Sequence, residues 1–181
     1  MDRIKIATVW LGGCAGCHMS FLDLDEFLID LAGRVDVVYS PIIDVKEYPD
    51  GVDVCLIEGA VCNEDNLELL LKIRARTKTI VSFGDCAVTC NVTSLRNLLG
   101  GNNTDQILQR AYIEAADTNP VKPSLEGILP RLLPKVRPVH DVVPVEYFLP
   151  GCPPPAPRIK ALLTNFLDQT PALSGAQLKF G

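Results

Sequence analysis

The chain has 181 residues, 48% of them hydrophobic, with 17 Lys+Arg against 22 Asp+Glu and seven cysteines. That length suffices for one domain with its own core, read here as 1–181, and a mean hydropathy of +0.20 excludes a disordered chain. Charge is uneven, with 4 Lys+Arg and 14 Asp+Glu over residues 1–70 but 13 and 8 over 71–181, a pattern that suits a protein partner or solvated helix faces; no basic run with interleaved aromatics supports nucleic-acid binding.

Strand and helix signals alternate along the chain. Residues 4–10 (IKIATVW) read as a strand. Residues 20–31 (SFLDLDEFLIDL) read as one helix with Phe21, Leu24, Phe27, Leu28 and Leu31 on a core-facing stripe, stopped by Gly33. Strands are expected at 35–39, 52–57 and 79–83, with helices over 64–76 and near 92–99. A loop at Gly100-Gly101-Asn102-Asn103 precedes a short helix across 105–115; 142–148 is strand-like despite Pro144, and 157–167 is the last helix. Mostly apolar strands alternating with helices indicate an α/β fold. The expected layout is flavodoxin-like, an open, mostly parallel sheet with helices on both faces.

Eleven of the 14 prolines fall between Pro120 and Pro157, so a proline-rich segment at about 118–157 should be ordered loop or extended chain rather than helix. Leu125, Ile128, Leu129, Leu132, Leu133 and Val136 give that stretch something to bury. No apolar run approaches the ~18 residues of a membrane span. The start, Met1-Asp2-Arg3-Ile4-Lys5, offers neither a signal-peptide core nor a twin-arginine motif. The expected location is cytoplasmic, where cysteines stay reduced and serve metal or redox chemistry.

Four cysteines stand out: Cys14 and Cys17 in GGCAGCH, Cys86 in FGDCAVTC and Cys152 in PGCPPP. Each site follows an expected strand, and in an open parallel sheet the loops at the carboxyl ends of the strands gather along one edge. Structural zinc prefers two local ligand pairs. One CxxC joined by two isolated cysteines favours an iron–sulfur cubane reached from several loops. Gly12, Gly13, Gly16, Gly84 and Gly151 are expected to let backbone N–H groups approach its sulfides. Zinc, unliganded core cysteines and thiol–disulfide chemistry at the CAGC motif remain alternatives; the last leaves Cys86 and Cys152 unused.

LGGCAGCHMS, CLIEGAV, SFGDCA and FLPGCPPP together resemble the small subunit of [NiFe] hydrogenases, in that family's order and over nearly the whole chain. The resemblance implies that Cys14, Cys17, Cys86 and Cys152 bind one proximal [4Fe–4S] cluster beside the Ni–Fe site of a separate large subunit. With CHMS after the CxxC and no cysteine beyond Cys152, the chain is similar to the small subunit of cytoplasmic bidirectional NAD(P)-linked [NiFe] hydrogenases. This implies further partners, diaphorase subunits with FMN, NAD(P) and more iron–sulfur clusters, to which the chain relays electrons. The cluster subunit of complex I is a neighbour in the same superfamily, but it carries adjacent cysteines where this chain has CxxC. Other cytoplasmic hydrogenases, F420-linked or of methyl-viologen type, remain open.

Further residues carry two readings each. Glu58 ends the third strand and reaches the same edge, as a proton relay, as a carboxylate that approaches a cluster iron, or as a cap on loop amides. Cys62 and Cys90 are alternate ligands or small packing residues, and relatives commonly have glycine at the position of Cys90. His18 bonds a cluster sulfide, lines the large-subunit interface or is structural. Cys55 is core, and Trp10 is expected to pack in the core or shield the cluster. The loop from Leu11 to Cys17 has no Ser/Thr-rich cradle for FMN phosphate.

Overall fold

The computed structural model describes residues 3–99 and 104–168; the loop expected at 100–103 lies outside them. Five parallel strands form the main sheet: β1 (Ile4–Trp10), β2 (Val35–Tyr39), β3 (Val52–Glu58), β5 (Thr77–Phe83) and β7 (Tyr147–Leu149), in the order β2-β1-β3-β5-β7. Counting these strands alone, the order is the doubly wound flavodoxin-like one, with its switch point between β1 and β3. A separate antiparallel pair joins β4 (Val61–Asn63) to β6 (Leu132–Arg137).

Strand alternation splits the core into two layers. Ile6, Val54, Leu56, Val81 and Phe83 face α1 (Gly16–Leu22), α2 (Phe27–Arg34), the turn between them and α6 (Ala156–Asp168) through Cys17, Leu24, Leu31, Ile159, Leu162 and Leu163. Ala7, Val9, Cys55, Ile57 and Ile80 face Tyr48 and the Leu70 and Ile73 stripe of α3 (Glu64–Arg76). The helix at 64–76 has the expected bounds, because its end signals are strong. Asn63 Oδ1 accepts the Asn66 N–H at 2.8 Å, Glu64 and Asp65 occupy the first turn, and Arg74 and Arg76 the last.

Several expectations are corrected. The helix at 20–31 is two helices, α1 and α2, separated by a turn over 23–26 in which Asp25 adopts φ 49°. The stripe nonetheless packs on the core, with Leu24 and Leu31 buried and Phe21, Phe27 and Leu28 half-buried. Gly33 does not stop the helix; it lies inside α2, and Arg34 passes straight into β2. The helix near 92–99 is a 3-10 helix over Asn91–Leu99. The one across 105–115 is α5 (Thr104–Gln109) continued by a π turn, Arg110–Glu114.

The strand expected at 142–148 shrinks to β7. Pro144 has no N–H to give a ladder, while the Glu146 carboxylate leaves the pattern to bind Arg74 and accept the Ile80 N–H at 2.7 Å. In the proline-rich segment Val136 is buried and Leu132 and Leu133 half-buried, but Leu125, Ile128 and Leu129 are exposed. Burial there begins with the β4–β6 pairing and continues past it through Val139, Val143 and Leu149, while the stretch before β6 stays mostly exposed.

Candidate metal centre

Strand register sets the site. Trp10 pairs with Glu58, Glu58 with Phe83, and Phe83 with Leu149, so four strands end in line. Just beyond lie Cys14 after β1, Cys17 at the start of α1, Cys86 in α4 (Asp85–Thr89), three residues past Phe83, and Cys152, three past Leu149. Hydrogen bonds carry the alignment past the strands: Leu11 N–H donates to Glu58 O at 2.8 Å, Gly84 N–H to Leu149 O at 2.8 Å and Asp85 N–H to Gly151 O at 2.9 Å.

The Cys152 loop is fastened from three sides. Asp85 Oδ1 accepts the Gly151 N–H at 2.7 Å, Ser20 Oγ donates to Pro154 O at 2.6 Å, and Arg158 donates to Pro150 O at 3.1 Å. Two sulfurs also have donors: Gly16 N–H reaches Cys14 Sγ at 3.4 Å and Asn91 Nδ2 reaches Cys152 Sγ at 3.3 Å. Sequence reasoning missed these supports. Asp85 has a readable signal, a carboxylate at a helix start beside a candidate ligand; Asn91 has none.

The thiols feel one another. Burial pushes Cys17 far up from the ordinary thiol value, and the charges of Glu58, Cys86, Cys14 and Cys152 add to it. Cys86 is pushed up to about 11, by burial first and then by Cys152, Cys14, Glu58 and Asp85. Such thiols are neutral near pH 7 until a cation takes the place of their protons. Cys14 and Cys152 are exposed, Cys86 half-buried and Cys17 buried.

The donor set is all thiol, which suits iron or zinc. Among the described residues no group of three His, Cys, Asp or Glu side chains is set to hold a single metal ion. Four thiols carried to one edge of the sheet by separate loops are a donor set that fits the corners of an iron–sulfur cluster. Gly84 belongs to the same wall: at φ 84° a Cβ there would run into Cys17 Sγ.

Glu58 is 1% exposed. Its carboxylate accepts the Cys17 N–H at 3.3 Å and the His18 N–H at 2.9 Å, and pairs with His18 Nδ1. The cap on loop amides is thus the role the geometry displays. Ala15, at φ 65°, brings no side-chain cap of its own, so Glu58 supplies one from β3. The His18 ring stands edge-on to Phe83 at 6.5 Å, with Nε2 buried and unpartnered.

The N–H expectation is corrected for four of the five glycines, Gly12, Gly16, Gly84 and Gly151. Gly12 N–H is taken by Ala60 O, Gly84 N–H by Leu149 O, Gly151 N–H by Asp85 and Gly16 N–H by Cys14 Sγ. The glycines serve close approach and loop pairing instead. Cys90 is buried with Ala60 and Val136, and Cys62 packs against them. Burial pushes Cys90 up to about 12, and Cys62, Asp141 and Cys86 add to the rise. Cys62 lies near Arg96 and Thr93. Cys55 is fully buried, as expected, whereas Trp10 is 47% exposed and so is not core.

Residues 14–166 match the family model described as NADH ubiquinone oxidoreductase, 20 Kd subunit. The chain is 38% identical over 176 residues to an F420-non-reducing hydrogenase subunit of Methanothermobacter thermautotrophicus, covering 91% of this chain and 54% of the relative. It is 36% identical over 172 residues to the delta subunit of the NAD-reducing hydrogenase HoxS of Cupriavidus necator, covering 93% and 81%. The chain spans about half the length of the F420-non-reducing relatives it matches. A crystal structure of an NAD+-reducing [NiFe]-hydrogenase in the H2-reduced state contains a chain that superposes with a TM-score of 0.91 at 37% identity, covering 99% of this chain and 100% of that one. The family model covers most of the chain, cysteine-bearing strand ends included, and so the chain belongs to the NADH ubiquinone oxidoreductase 20 Kd subunit family, within which it is similar to hydrogenase subunits.

Proposed function

We propose that the chain is the electron-transfer subunit of an NAD(P)-linked [NiFe] hydrogenase and that Cys14, Cys17, Cys86 and Cys152 hold one [4Fe–4S] cluster. The observation that carries this reading is the meeting of four thiols from three strand ends, with Cys17 sensing the other three and Cys86 sensing Cys14 and Cys152. When bound, such a cluster accepts and releases one electron at a time. The chain's own residues orient the thiolates, and Glu58 fixes the start of the helix that carries Cys17. Cys14 and Cys152 lie toward solvent, on the side where a large subunit carrying the Ni–Fe site would dock. Diaphorase subunits with FMN would take the electrons onward, in the cytoplasm; among the described residues no helix is long and apolar enough to cross a membrane.

A thiol–disulfide enzyme is disfavoured because it would use only Cys14 and Cys17 and leave Cys86 and Cys152, which the fold brings to the same strand ends, without a role. The F420-non-reducing relatives favour a second reading of the electron acceptor. Purification of the intact complex tests both. Iron, acid-labile sulfide and an EPR signal on reduction by H2 are expected, with a nickel-bearing large subunit and H2-dependent reduction of NAD+ or NADP+. An iron-free chain with a redox-active Cys14–Cys17 pair would overturn the proposal, and a complex that reduces viologen dye but neither nucleotide would move it to the second reading.

A further inference from the structure

We propose that Asn91 tunes the reduction potential of the metal centre through a hydrogen bond from its side-chain amide to the sulfur of Cys152. The inference rests on the cluster reading above. Asn91 Nδ2 lies 3.3 Å from Cys152 Sγ, although 61 residues separate the two in sequence. Neither end is left to chance. The Cys152 loop is held by Asp85, Ser20 and Arg158.

Asn91 sits where the chain leaves α4. Cys90 and Asn91 take φ 67° and 41° in succession, and Ser94 Oγ then donates to Asn91 O at 2.8 Å. Asparagine is among the few residues that accept the left-handed region readily. This turn aims its amide back at the Cys152 loop.

The chemistry of the pair is one-directional. A thiolate has no proton to give, so only the NH2 side of the amide can face it, and ionisation of the sulfur strengthens the bond. A donor on a ligand sulfur withdraws electron density from the iron and favours the reduced cluster, which carries the extra electron. Cys14 also has a donor, but it is the Gly16 backbone N–H, which a side-chain substitution at residue 16 leaves in place. Asn91 is therefore a side chain through which the potential can be set independently of the ligands. It is a positioning residue that acts through Cys152.

The test uses the complete hydrogenase complex with Asn91→Gly and Asn91→Asp. Glycine keeps the left-handed backbone free of strain and deletes the donor; aspartate keeps the shape but replaces the donor with a negative oxygen. Iron and sulfide are counted first, and the midpoint potential is then read by EPR-monitored redox titration. The expected result is a full cluster in at least one variant and a shift to more negative potential, larger for aspartate than for glycine. A fully loaded Asn91→Gly with the parent potential overturns the proposal. So does loss of iron from both variants, which would make the residue purely structural. If the unsubstituted complex itself shows no iron or sulfide on this chain, the cluster reading has failed, and that outcome is distinct from either of the others.

Discussion

Glu58 and Cys17 are joined across 41 residues by a carboxylate that accepts the Cys17 backbone N–H at 3.3 Å. The same carboxylate takes the His18 N–H at 2.9 Å, so one buried side chain closes the start of α1 and fixes where Cys17 points. Glu58→Gln offers one oxygen to two amides and turns an NH2 donor toward one of them. An unmet buried donor costs about 1–3 kcal/mol, so the expected outcome is a lower melting temperature of the cluster-free chain and weaker iron retention. Calorimetry and iron analysis check it. If Glu58 serves instead as a proton relay, Glu58→Gln keeps its iron and stability and loses H2 turnover.

Gly84 faces the other side of Cys17. A methyl group there would overlap Cys17 Sγ, and the backbone at φ 84° already disfavours any L side chain. Gly84→Ala is expected to cost about 1–3 kcal/mol through overpacking, with backbone strain added. The displaced sulfur should be lost as a ligand, so iron per chain falls sharply while far-UV circular dichroism shows the sheet intact. Full iron loading in this variant would mean that Cys17 does not hold the cluster.

The parallel α/β layout and the edge to which the four cysteines belong were legible because the alternation of strands and helices and the placing of each cysteine after a strand are local signals. Apolar runs mark β1, β3 and β5, and a ligand placed after a strand must sit at its carboxyl end. The helix at 64–76 was legible for the same reason, with Asn63 and the two terminal arginines at its ends. What escaped depends on partners far away in sequence. The β4–β6 pair joins Val61 to Arg137, and neither three-residue β4 nor proline-containing β6 has a strand pattern of its own. The break at 23–26 escaped because its apolar spacing stays helical while Asp25 turns left-handed. Glycine N–H groups looked free for a ligand until the register gave Gly12 to Ala60 and Gly84 to Leu149.

Cys90 and Cys62 separate packing from ligation. Cys90 holds φ 67° at the end of α4, where its N–H bonds Cys86 O at 3.0 Å. Glycine adopts this left-handed backbone without strain. Cys90→Gly removes about 1–2 kcal/mol of backbone strain and gives up a small buried side chain of similar worth. Its stability should therefore stay near the parent's, while Cys90→Ala keeps the strain, loses the sulfur and melts lower. Iron content should be unchanged in both and in Cys62→Ser. Iron lost from Cys90→Gly at unchanged stability would make Cys90 a ligand.

The raised thiols give the cluster-free chain a distinct pH response. With Cys86 moved from 9.0 to about 11, its thiolate at pH 7 is about 100-fold scarcer than that of an ordinary thiol. Alkylation of Cys86 by iodoacetamide, followed by mass spectrometry, should accordingly be slow at pH 7 and accelerate about tenfold per pH unit up to its pKa. The sign of the stability effect follows from linkage: a folded-state pKa above the unfolded one favours the neutral thiol in the fold. The contribution is fully present below pH 9.0 and is lost as pH rises through about 11; Cys17 acts in the same direction. Denaturant midpoints of the cluster-free chain should fall above pH 9.0, whereas the loaded protein, its thiols already ionised on iron, should lack this part of the decline. Equal alkaline sensitivity of the two forms, or rapid alkylation of Cys86 at pH 7, would show that the four thiols are not gathered as described.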